Sequence, residues 1–123
     1  MNDDLVQPSR GFGAHPHRDA EIVTYIVAGE LTHKDSMGTR ETLGRGSVQF
    51  MTAGAGITHS EHNLSADHPL RFIQMWFTPR RCGVESGPLL SLSECPLVSH
   101  VSYPRRVLLW CCEAWRELAA PHA

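Results

Sequence analysis

From residue 22 onward the hydrophobic positions fall in short runs cut by glycine and other turn formers. Residues 22–27 are rich in β-branched and aromatic side chains, a composition that suits extended chain. Ala28-Gly29-Glu30 breaks that run, residues 31–35 can pair back on it, and Ser36-Met37-Gly38 makes the next turn. Residues 39–43 follow, then Gly44-Arg45-Gly46, a strong turn signal. Residues 47–51 and 57–61 flank a loop of small residues, Thr52-Ala53-Gly54-Ala55-Gly56, in which Gly54 and Gly56 are expected to take positive φ. Leu70–Phe77 is the longest apolar run and stops short of Pro79. Short strands at near-regular spacing predict an all-β sandwich or barrel. Residues 1–13, polar and ending in Gly11-Phe12-Gly13, read as a loop.

The pattern changes near residue 79. Residues 79–105 carry four of the eight prolines and show no period. Residues 106–120 read as an amphipathic helix, with Val107, Cys111, Ala114, Trp115 and Leu118 on one stripe and Pro121 as its stop. The expected organisation is one β domain over 1–85 and a tail over 86–123 carrying the helix. With 123 residues the chain is one domain by length. A net charge of −2 without a basic stripe excludes direct nucleic-acid binding. No run of about 18 apolar residues offers a membrane span. The first residues, Met1-Asn2-Asp3-Asp4, do not form a signal peptide, so a cytoplasmic protein is expected. Cys82, Cys95, Cys111 and Cys112 contain no Cys-x-x-Cys spacing and read as reduced thiols.

Two pairs of residues carry the chemistry. His15 and His17 form one, His59 and Glu61 the other, each spaced i, i+2. On a strand that spacing puts both side chains on one face. Two such strands facing across a small barrel would aim three imidazoles and one carboxylate at a single point. That donor set suits a divalent first-row ion, with Fe(II), Mn, Ni, Cu and Zn all open. Four protein ligands leave open positions on a six-coordinate ion, the arrangement used for chemistry rather than for holding a fold. His33, His62, His68, His100 and His122 are expected to face solvent. Phe50, Phe72 and Trp76 are expected in the core or on the cavity wall.

Residues 11–25, Gly-Phe-Gly-Ala-His-Pro-His-Arg-Asp-Ala-Glu-Ile-Val-Thr-Tyr, resemble the first metal motif of the pirins, a branch of the cupin superfamily. His33-Lys34-Asp35-Ser36-Met37-Gly38 and residues 48–61 resemble its next two signatures, and residues 72–77 the strand that follows. The likeness covers residues 3–85. It implies a single cupin jelly-roll barrel whose metal ligands are His15, His17, His59 and Glu61, with Fe(II) as the leading ion. Other cupins would use Glu21 as a ligand; here the resemblance assigns it to hold an imidazole in place by hydrogen bonding. Pirins are longer at both ends, so an incomplete cupin with uncovered edges is expected. Such a chain should form a homo-oligomer through Leu70–Phe77 or the helix.

The resemblance implies Fe-dependent dioxygenation of a flavonol, of the quercetin 2,3-dioxygenase type, with Glu61 as the catalytic base toward a small aromatic substrate. The alternatives it leaves are a non-catalytic metal- or redox-sensitive binding partner of another protein, and a truncated inactive paralogue.

Overall fold

The computed structural model describes residues 1–92, and every regular element within them is a strand. These are β1 (Asn2–Val6), β2 (Gly11–His17), β3 (Glu21–Ala28), β4 (Glu30–Asp35), β5 (Arg40–Gly44), β6 (Val48–Thr52), β7 (Ile57–His62), β8 (Leu70–Phe77) and β9 (Leu90–Leu92). They build two antiparallel sheets, ordered β1-β8-β3-β6-β9 and β2-β7-β4-β5. The expected all-β architecture is present. None of the described residues forms a helix long and apolar enough to cross a membrane.

The N-terminal residues depart from the expected loop. β1 pairs with β8 from Asn2 opposite Gln74 to Val6 opposite Leu70. Its sequence hides the strand, because Asn and Asp are poor strand formers and only Val6 turns its side chain into the core. Pairing with a long apolar neighbour overrides local preference. Gly11-Phe12-Gly13 likewise opens β2 rather than a loop, with the register against β7 shifting between Phe12 and His15. Residues 86–92, grouped with the tail in the sequence reading, lie on the barrel. Ser86 donates from Oγ to the Ala53 carbonyl at 2.7 Å, the Gly87 N–H reaches the Thr52 carbonyl at 3.1 Å, and β9 pairs with β6. The helix expected at 106–120 lies outside the described residues.

β8 is hydrogen-bonded on both sides, to β1 and β3, so it offers no free strand edge for assembly. Its last two residues, Trp76 and Phe77, are exposed.

The inward row of each strand alternates with an outward row, and along that row apolar and polar segments separate. Val6, Ile26, Leu31, Leu43, Leu70 and Phe72, drawn from both sheets, form one apolar cluster. Ile22, Met51, Ala53 and Ile57 form a second. On β3 the inward sequence is Ile22, Thr24, Ile26, so a polar layer lies between the two clusters. The same layer collects His33 and Asp35 after Leu31 on β4, His59 and Glu61 after Ile57 on β7, and Gln74 after Phe72 on β8; all are buried. The β6–β7 connection is pinned at Gly54, whose φ is +47° and whose Cα faces the backbone of Val84 and Glu85 with no room for a Cβ. Gly56, at φ +144°, also has the expected positive φ.

Phe72, 1% exposed, is the largest side chain of the first cluster. Phe72→Ala should lower unfolding free energy by about 3–5 kcal/mol, through lost burial and an unfilled cavity. Urea denaturation of the two proteins checks this; a change below about 1 kcal/mol would mean that this cluster is not the core.

Candidate metal centre

β2 and β7 are adjacent strands in one sheet, not strands facing each other across the barrel as the spacing first suggested. His15 stands directly opposite His59 in their ladder, and His17 follows opposite Ile57. The convergence of the two pairs is therefore a matter of register between neighbours. β2 is an edge strand of its sheet, the position that tolerates Pro16 between the two histidines.

The three imidazole centroids are 5.0 Å (His15 to His17), 4.4 Å (His15 to His59) and 4.9 Å (His17 to His59) apart, with ring planes 61–82° from one another. One nitrogen from each ring lies within 4.8 Å of the others. Metal–imidazole bonds of ~2.0–2.1 Å fit inside such a triangle after a small contraction. Nε2 of His17 and Nε2 of His59 are buried and have no hydrogen-bond partner among the described residues. A buried polar nitrogen without a partner costs free energy, and a cation at the centre would satisfy both. His15 bonds through Nδ1 to the Gly13 carbonyl at 2.7 Å, so a metal bound here would meet its Nε2.

Electrostatics favour neutral ligands. Burial, with the neighbouring His15, His33 and His17, pushes the His59 pKa down to about 3. Burial, then His15, lowers that of His17. Burial pushes the Glu61 carboxyl up, opposed by a hydrogen bond from Gln74. Gln74 cannot turn its amide round. The indole N–H of Trp76 is a donor only and takes Gln74 Oε1 at 3.0 Å, so Gln74 Nε2 faces Glu61 Oε1 at 3.0 Å and Thr24 Oγ1 at 3.2 Å.

Glu61 shares the inward face of β7 with His59, yet it falls in a second grouping of donor atoms, with His59 and His33. His33 is a correction: it was expected in solvent and is fully buried, bonded to Asp35 and Gln49 and beside His59. Its place on β4, two residues from Asp35, repeats the i, i+2 spacing of the other pairs; that signal was present in the sequence. Gln49 and Gln74, inward-facing amides on otherwise apolar strands, were also missed. His68 is exposed as expected, His62 is half-buried, and His100 and His122 lie outside the described residues. Phe72 is core, whereas Trp76 is 53% exposed with its ring 5.5 Å from that of His17. Glu21 opens β3 opposite Thr52 and Phe77 and, among the described residues, forms no hydrogen bond to an imidazole.

The family model described as Pirin matches residues 1–77. The chain belongs to the pirin family. Quercetin 2,3-dioxygenase of Escherichia coli (strain K12) is 45% identical over 84 residues, 68% of this chain and 36% of that protein. The crystal structure of YhhW from Escherichia coli matches this pirin chain with a TM-score of 0.73 at 39% identity, covering 77% of this chain and 40% of that one. The structure of bacterial pirin YhhW from Escherichia coli in complex with nickel(II) matches with a TM-score of 0.71, also at 39% identity, covering 76% and 40%. This pirin chain thus spans little more than a third of the length of the curated relatives it matches.

The buried histidines give the metal-free protein a defined pH response. Unfolded, His59 takes up a proton near 6.5; folded, only near pH 3. The unfolded state binds more protons between those values, so His59 makes stability fall as pH drops through that window. Glu61 acts in the opposite sense, losing stability as pH rises above its unfolded value of 4.5. Chelator-treated protein should lose urea resistance from about pH 6.5 downward, and His59→Gln should flatten that loss. Equal slopes in the two proteins would contradict the neutral, buried His59.

Proposed function

We propose that this chain holds one divalent first-row ion through His15, His17, His59 and Glu61, and that the loaded protein oxygenates a small aromatic substrate of the flavonol class. The observation that carries the first half is the pair of buried, partnerless Nε2 atoms on His17 and His59, converging with His15. The second half is supported by the name of the Escherichia coli relative, a quercetin 2,3-dioxygenase. Fe(II) is the ion this reading favours, because a redox-active metal can also pass electrons to dioxygen; the nickel(II) bound by YhhW shares its liking for imidazole. When bound, such an ion supplies Lewis acidity toward a hydroxyl and its neighbouring carbonyl, and as Fe(II) it also supplies electron-transfer capacity toward dioxygen.

The chain's own residues supply the rest. His17 and His59 stay neutral because burial disfavours their protonated forms. Burial raises the basicity of Glu61, while Gln74 keeps its carboxylate aimed. Glu61 is therefore suited to take the proton of an incoming flavonol hydroxyl. Trp76, exposed beside His17 and tethered through its N–H, offers an aromatic face at the mouth of the site.

The test pairs metal analysis with loss of flavonol absorbance. His15→Ala and His59→Ala should each lose most bound iron, with affinity down by at least about 100-fold. Glu61→Gln should keep part of the metal, since an amide oxygen still coordinates, yet lose flavonol consumption because it cannot take a proton at neutral pH. Glu21→Gln should do less on both counts. Stoichiometric iron in a His15→Ala, His59→Ala double variant would remove the site. A larger effect at Glu21 than at Glu61 would move the carboxylate ligand to Glu21. Full iron loading with no flavonol loss would leave the metal half standing and favour the regulatory alternative.

A further inference from the structure

His33 and Asp35 are buried on β4, the strand that flanks β7 on the side away from β2. In the β4–β7 ladder Asp35 stands opposite His59, and His33 opposite Glu61. Three side chains meet the His33 ring. Asp35 Oδ2 lies 3.3 Å from Nε2, Gln49 Nε2 lies 2.8 Å from Nδ1, and His59 Nδ1 lies 3.4 Å from that same Nδ1.

The tautomer follows from donor and acceptor capacity. Asp35 Oδ1 accepts the backbone N–H groups of Met37 at 2.9 Å and Thr39 at 3.0 Å, so the carboxylate is fixed by the turn it closes. Its other oxygen faces His33 Nε2 and can only accept, which puts the proton on Nε2. A neutral ring then leaves Nδ1 bare. That lone pair faces two donors, the Gln49 amide and the Nδ1–H of His59. With the His59 proton held on Nδ1, its Nε2 is unprotonated and points to the buried space shared with His15 and His17.

We propose that His33, set in its tautomer by Asp35, is a positioning residue that accepts a hydrogen bond from His59 Nδ1–H and thereby presents His59 Nε2 to the metal. The proposal rests on the metal reading above and extends it to a residue outside the four ligands. A histidine bound to a metal needs an acceptor on its other nitrogen to fix ring orientation, and loss of that acceptor costs about 10–100-fold in affinity. A rival role for the same cluster is direct ligation, in which His33, His59 and Glu61 hold an ion of their own. The bare nitrogens argue against it: Nε2 of His17 and of His59 have no hydrogen-bond partner among the described residues, whereas both nitrogens of His33 have partners, Nδ1 being shared between the Gln49 amide and His59.

Asp35→Asn tests this without removing the turn. Its side-chain oxygen can still accept from Met37 and Thr39, while its NH2 meets His33 Nε2 and forces the proton to Nδ1, donor against donor toward His59. Long-range proton–nitrogen NMR on the metal-free full chain reads the tautomer, and Co(II) titration reads the affinity. The expected wild type has His33 protonated on Nε2 and binds one Co(II). Asp35→Asn should show the Nδ1–H tautomer and bind Co(II) about ten-fold more weakly. His33→Asn, which keeps an oxygen near the Nδ1 position, should bind within about three-fold of wild type, whereas His33→Leu should lose about ten-fold or more. This second pair decides the matter if Asp35→Asn fails to fold. A wild-type His33 protonated on Nδ1, equal Co(II) affinity in His33→Leu, or a second Co(II) equivalent lost with His33 would each overturn the positioning role. The first two leave the ligand set intact; absence of Co(II) binding with the expected tautomer would overturn the metal reading and this role together.

Discussion

The register of β2 against β7 is the constraint on which the rest depends. In extended chain every second side chain faces inward, so a slip of one residue would send His59 and Glu61 to the opposite face together. The ladder sets His15 opposite His59. Several features hold it there. The shift between Phe12 and His15 absorbs the irregular opening of β2. Gly54 locks the β6–β7 turn against Val84 and Glu85. On its other side β7 is fixed by β4, from Thr32 opposite His62 to Asp35 opposite His59.

The polar layer this creates would be a liability in most small barrels. His33, Asp35, Gln49, His59, Glu61 and Gln74 are all buried, and each buried polar group left without a partner costs free energy. Two chains of hydrogen bonds satisfy most of them. One runs from Asp35 through His33 to Gln49 and His59; the other runs from Trp76 through Gln74 to Glu61 and Thr24. The loose ends are informative: among the described residues they are Gln49 Oε1 and the Nε2 atoms of His17 and His59. Two of those three atoms face one another across the proposed metal position. The apolar clusters on either side help to bury that layer, and burial disfavours the charged forms of His59 and Glu61.

Most of the strands and the histidine pairs were legible because alternation and glycine turns are local signals. Residues 22–27 and 70–77 read as strands from their apolar composition and 57–61 from its place beside the small-residue loop, and β3, β8 and β7 cover them. β1 was not legible, since Asn2, Asp3 and Asp4 join the sheet through a partner some seventy positions away. The geometry of the site was half legible. Spacing showed that His15 and His17 share a face, but not that their strand lies beside that of His59 rather than across from it, which only the sheet order reveals. His33 was misread because a histidine between Thr and Lys looks solvated. Its burial depends on Asp35 and Gln49, sixteen residues apart in the case of Gln49.

The most direct measurement is X-ray absorption at the metal edge of the full chain loaded with one equivalent of Fe(II) or Ni(II). Imidazoles give outer-shell scattering that carboxylates and water lack, so their number can be counted. Three imidazoles among nitrogen and oxygen donors at ~2.0–2.2 Å are expected, with no sulfur. Sulfur in the first coordination sphere, or fewer than two imidazoles, would contradict a site built from the β2–β7 register.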